Sequence, residues 1–170
     1  MFCWQLLRGR TAVKEQLVCR GLLDQNLTFC TFYKVKYELI GHLFFACSFS
    51  WKLWTHCFST WVVHNDPMFM FLVWQQALPD KSGKKLWLMS FFAIIWSIWL
   101  MRNDMVFNGK AFDLEQIIDI FKFRLASWFK VKWPKTPHSI LDIVKFSKDI
   151  QVPKGVQSQQ EDHSLGNPTS

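Results

Sequence analysis

The sequence predicts a mainly α protein. One small helical domain is expected over residues 1–133, interrupted in its N-terminal third by an irregular, knuckle-like hairpin, with a poorly structured, disordered tail over 134–170. Half of the 170 residues are hydrophobic and 17% are aromatic, with ten Trp and seventeen Phe, so the chain has a large core to build and needs no disulfide staple. Seven Gly and six Pro leave too few turns for a sheet of many short strands. Apolar residues recur at three- and four-residue steps over several stretches, the spacing of one helix face.

In chain order, Thr11 is the expected N-cap of a helix over about 12–20, with Glu15 in its early turns and Gly21 as its stop. Asp24, Gln25 and Asn26 break that pattern, and residues 29–37 suit a short irregular hairpin. Ser48 or Ser50 can cap the next helix, whose Trp51, Trp54, Cys57, Phe58 and Trp61 form a stripe read as core. Pro67 opens an apolar helix over 68–78 that ends at Leu78-Pro79, and 80–85 reads as a loop. Residues 86–101 carry no charge. A bilayer crossing needs about 20 such residues, so the stretch is read as part of a buried central helix over about 85–107. Ser90, Ser97 and Asp104 give that helix one narrow polar stripe, and Trp96 and Trp99 are expected in the core. Lys84, Lys85 and Arg102 flank it and keep membrane anchoring as the alternative. Asp113 then caps a final helix, with Gln116 at the capping-box position and Leu114, Ile117, Ile118, Phe121, Leu125 and Trp128 on one face. Beyond Trp133-Pro134 the chain is punctuated by Pro137, Pro153 and Pro168, and Gln, Ser and Pro dominate from about 152.

Charge and cysteine usage narrow the function. The five Cys at 3, 19, 30, 47 and 57 are an odd set, and Arg8 and Arg10 interrupt the early apolar run that a secretory signal would need. Reduced thiols in an intracellular compartment, nucleus or cytoplasm, are expected. A net charge of +7 and a pI near 9.3 favour an anionic partner, nucleic acid or an anionic membrane surface. Lys122, Arg124, Lys130, Lys132 and Lys135 fall in an interval without acids, interleaved with Trp128, Phe129 and Trp133, and form the candidate phosphate-contacting surface. The competing reading is a solvated helix edge beside core aromatics. Arg8, Arg10, Lys14 and Arg20 are a second basic group. Polymerase and nuclease chemistry needs clustered carboxylates to hold two metals, but the thirteen acids include no Asp-Asp pair, and no phosphate loop, nucleophile elbow or His-Glu-x2-His helix occurs. A binding protein, not an enzyme, is expected, with no small-molecule substrate.

One stretch carries metal-ligand chemistry. Cys30, His42 and Cys47 are candidate zinc ligands, but the turn that would supply the fourth reads Cys30-x2-Tyr33. A phenol is a poor zinc ligand at neutral pH, so the site lacks one ligand, with Tyr33 at the empty corner and His56 and Cys57 as the nearest spares. The three ligand atoms are expected within about 4 Å of one another if they share an ion. A buried Cys pair beside a hydrogen-bonded His is the alternative.

The residues around these ligands extend the pattern. Glu38, His42-Leu43-Phe44-Phe45-Ala46-Cys47, Ser50 and Trp54 follow Cys30 in order. Phe2-Cys3-Trp4 through Lys14, with Leu17 and Arg20-Gly21-Leu22, precede it, and Trp96-x2-Trp99-x2-Arg102-Asn103-x3-Phe107 comes after. This ordered set, over about residues 2–133, resembles the zinc-binding domain of plant non-LTR, LINE-type retrotransposon reverse transcriptases; Tyr33 is its one departure. The resemblance implies zinc as cofactor and a non-catalytic accessory module that assists nucleic-acid handling beside a reverse transcriptase. The chain carries no polymerase neighbour and begins inside the first motif, so a degenerate gene fragment is expected. The alternatives are a metal-free structural remnant and a small membrane-anchored protein using 86–101.

Overall fold

The computed structural model describes residues 2–58, 64–77 and 83–135. Within them the chain forms six α-helices: α1 Phe2–Leu7, α2 Lys14–Cys19, α3 Ser48–Cys57, α4 Pro67–Gln76, α5 Lys84–Phe107 and α6 Leu114–Lys132. Among the described residues strand pairing is limited to one isolated antiparallel bridge, Phe29 with Tyr37, so the mainly α expectation holds. The tail over 134–170, apart from its first two residues, lies outside the described residues, as do Trp61, Leu78 and Pro79.

Two helix starts are capped by aspartates; the Asp113 cap and the Pro67 start are those expected from sequence, and the Asp66 cap is not. Asp113 Oδ1 accepts from the Gln116 amide at 3.1 Å and opens α6. Asp66 Oδ1 accepts from Phe69 N at 2.6 Å and opens α4, with Pro67 in the first position, where its missing N–H leaves no bond unmade. The expected cap at Thr11 is corrected. Val13 occupies the N-cap of α2, the Thr11 hydroxyl is buried without a partner, and the Lys14 amide donates to Glu38 Oε1 at 3.1 Å. A carboxylate from 24 residues away thus replaces a local hydroxyl, which no local capping pattern can signal.

The centre of the fold is α5, which packs most extensively along α6 and also meets α3 and α4. It runs over the expected range, and 56% of its most apolar window is buried. Two members of its polar stripe donate within the helix, Ser90 Oγ to the Trp87 carbonyl at 2.6 Å and Ser97 Oγ to the Ala93 carbonyl at 2.8 Å, while Asp104 accepts from Asn108 and Lys110 just beyond it. Trp96 and Trp99, expected as core, are half-buried and contact Phe2 of α1 at the edge. The aromatic centre is instead Trp74 of α4 against Trp87 of α5. Their rings stack at 3.8 Å and 2°, and each indole N–H donates to the other's carbonyl, at 2.9 and 2.7 Å. On α3, Trp54, Cys57 and Phe58 are buried as expected, whereas Trp51, one step off that face, is exposed.

Candidate metal centre

The loop that supplies the first ligand is closed as a hairpin without strands. Cys30 N donates to Lys36 O and Glu38 N to Thr28 O, both at 2.7 Å, and the Phe29 and Tyr37 rings stack across the bridge at 5.6 Å. At its turn Lys34 N donates to Cys30 O at 2.8 Å, and Lys34 takes the left-handed conformation, φ 56°. The other two ligands are the first residue of a π-helical turn, His42–Ala46, and the residue that caps it, with Cys47 N donating to the His42 carbonyl at 2.6 Å. In an α-helix two residues five apart are rotated by about 140°; the wider turn brings His42 and Cys47 toward one side. Preceding that turn, Gly41 has no room for a side chain, because a Cβ would collide with the carbonyl and Cα of Asn65.

The ligand atoms of Cys30, His42 and Cys47 lie within 4.8 Å of one another, and all three residues are buried. The two sulfurs stand 3.8 Å apart. Two Zn–S bonds of about 2.3 Å at a tetrahedral angle give the same separation, about 3.8 Å. His42 Nε2 is buried without a hydrogen-bond partner, a cost that an ion would remove. The donor set, the spacing and the orphaned nitrogen therefore fit a zinc ion.

The thiols are polarised against each other. The hydrogen bond to Cys47, then burial, push the Cys30 thiol well above its ordinary range, while His42 pulls the other way. Cys47 is lowered to about 7, chiefly by the hydrogen bond from Cys30; burial opposes this, and the amides of Phe49 and Ser50 with the Ser48 hydroxyl support it. Cys47 sits at the N-cap of α3, where free amides favour negative charge. A two-cysteine ligand set must lose both protons to bind zinc, and Cys47 gives up its proton more readily than Cys30.

Tyr33, expected at the fourth corner, is half exposed, and its main-chain N–H is what reaches the Cys30 sulfur. Neither His56 nor Cys57 joins the cluster; His56 is exposed.

A residue not singled out as a site from sequence holds the hairpin in place. Glu38 is fully buried. Its Oε1 accepts from Lys14 N, from Arg102 Nε at 3.1 Å and from Arg102 Nη2 at 2.7 Å; its Oε2 accepts from Thr31 N at 3.1 Å and Thr31 Oγ1 at 2.6 Å. Thr31 follows Cys30, so the carboxylate fixes the ligand's neighbour and anchors it to α5. An acid isolated in an apolar and basic stretch was the available signal.

The five basic candidates, four on α6 and Lys135 beyond its end, do not form one face. Residues two apart on a helix are rotated by about 200°, which separates Lys122 from Arg124 and Lys130 from Lys132. Lys122 pairs with Asp119 at 3.6 Å, and Arg124 Nη1 donates to Ser97 Oγ at 2.6 Å, with burial lowering its pKa. Lys132 and Lys135 are exposed; Phe129 is buried and packs on Trp133, over which Lys85 lies at 5.2 Å.

A small helical protein with a buried two-cysteine, one-histidine cluster is what fold and site define. Residues 1–54 match the family described as zinc-binding in reverse transcriptase. The match holds every ligand of the cluster and ends at Trp54, ahead of α4, α5 and α6. No curated protein matches the chain, and no solved structure does.

Proposed function

We propose that this protein is a non-catalytic zinc-binding module derived from a retrotransposon reverse transcriptase, of the plant LINE type, that handles nucleic acid inside the cell. Cys30, His42 and Cys47 would hold the ion, leaving its fourth position to a ligand from outside the cluster, because the Cys30-x2-Tyr33 turn supplies no second thiolate. The observation that carries this is the three-ligand cluster with its unpartnered His42 nitrogen, within the residues that match the zinc-binding family. With one open position the site has a coordination set that catalytic zinc also uses, but no carboxylate belongs to the cluster, and the nearby Glu38 is consumed by Arg102, Thr31 and Lys14. Burial of α5 against α6 favours a core role for 86–101 over a membrane anchor.

Metal analysis of the purified full chain tests the assignment, with Co(II) as a spectroscopic substitute for zinc. One zinc per chain and thiolate-to-cobalt absorption are expected, both lost in Cys47→Ser. A folded wild-type chain that takes up no zinc, or a Cys47→Ser variant that retains it, would overturn the metal reading and leave the structural remnant.

A further inference from the structure

We infer that the tip of the knuckle hairpin, residues 33–37, is the surface that contacts single-stranded nucleic acid. This inference rests on the nucleic-acid role proposed above and assigns it a place away from α6.

The tip reads Tyr33-Lys34-Val35-Lys36-Tyr37, and every one of these residues is exposed, Val35 by 65% and Tyr37 by 60%. The chain has ten Trp, seventeen Phe and only two Tyr, and both Tyr stand here. Tyrosine is the aromatic that tolerates water at one end while offering a flat apolar face. Tyr37 already stacks on the half-exposed Phe29 at 24°, which fixes the ring and leaves its other face to be covered. Bases stack on such faces whatever their identity.

The charge around the tip is one-sided. Between Asp24 and Asp66 the only acid in the sequence is Glu38, and it is buried and paired with Arg102. Lys34 and Lys36 therefore project from the hairpin without a neighbouring counter-charge along the chain, and Lys14 Nζ is held over the same loop by the Phe29 carbonyl at 2.8 Å. Glu15 of α2, whose amide reaches the Glu38 carbonyl at 3.4 Å, is one acid against three lysines. Alternating lysines and aromatic faces suit a single strand, whose phosphates and unstacked bases alternate in the same way.

Lys34 supplies an independent sign. It holds φ 56°, a left-handed conformation that glycine adopts more readily than a residue with a side chain. At this position glycine would relieve the strain, whereas lysine adds a charge at the exposed tip.

The test is binding of the zinc-loaded full chain to fluorescein-labelled oligo-dT and oligo-rU, with anionic phosphatidylserine vesicles as a second probe. Tyr37→Ala is expected to weaken oligonucleotide binding roughly 5- to 150-fold, the range for losing one stacked base. Lys36→Glu should lower the slope of log affinity against log salt by about 0.7. Lys34→Gly should weaken binding while its melting temperature holds or rises, a separation that a merely structural lysine would not give. Reversal of Lys132 and Lys135 to Glu at the end of α6 should change affinity little. If that reversal costs as much as the tip changes, the location is overturned and the nucleic-acid role stands. If zinc-loaded wild type binds neither oligonucleotide at low salt, the role itself fails, and binding to vesicles alone would replace the strand with a lipid surface.

Discussion

Arg102 Nη2 lies 2.7 Å from Glu38 Oε1, with both side chains buried, 64 residues apart in sequence. The pair joins the metal hairpin to the C-terminal part of the longest helix, so the geometry around Cys30 depends on a residue well outside the matched residues 1–54. Removing one partner leaves a buried charge unpaired. Arg102→Leu is expected to cost about 3–5 kcal/mol in urea unfolding, and Glu38→Leu with Arg102→Leu together to cost less than the sum of the single changes. Strict additivity of the two would refute the coupling.

Tyr33 turns its amide, not its ring, toward the Cys30 sulfur, so the turn already has the shape of a ligand loop. Tyr33→Cys should complete a four-ligand set and tighten zinc binding on the order of tenfold or more, as read by competition with a chromogenic chelator. Unchanged affinity would mean that residue 33 does not face the ion.

Gly41 is held against the Asn65 backbone one residue before His42. Gly41→Ala must displace either segment, at a cost of about 1–3 kcal/mol, and should speed zinc loss to a chelator more than it lowers helix content. Equal zinc retention in the variant would show that the π-helical turn is not clamped from this side.

The thiol pair gives the metal-free protein a pH optimum. The folded Cys47 is lowered from 9.0 to about 7, so between those values the unfolded chain binds one more proton and stability rises with pH. Above 9 the sign reverses, since unfolded Cys30 ionises while the folded thiol, raised by Cys47 and burial, stays protonated. Chelator-treated protein should therefore be most stable near pH 8–9 and lose up to about 2 kcal/mol toward pH 6. Cys47→Ser should flatten the low-pH limb; a wild-type profile without that limb would exclude the lowered Cys47 thiol.

Trp87 and Trp74 close on each other by stacking and by two indole hydrogen bonds, whereas Trp96 is half-buried. Trp87→Ala should cost about 3–5 kcal/mol and Trp96→Ala about half as much, measured as shifts of the urea midpoint. The reverse order would place the core around Trp96 after all.

Local chemistry was legible in the sequence wherever the physics is local. Asp113 caps its helix because a carboxylate three residues ahead of a free amide needs nothing else, the apolar periodicity placed α6 because burial repeats with the helix turn, and the charge-free run 86–101 placed α5. The three candidate ligands were legible too, since few residue types bind zinc. Their convergence was not, because it depends on a π turn whose sequence differs in no pattern from an α turn. Nor was the cap of α2, the clamp on Gly41, or the partner of Glu38. Tertiary structure alone decided these, because a buried carboxylate must find its cation wherever the fold brings one, and here that cation stands 64 residues away on α5.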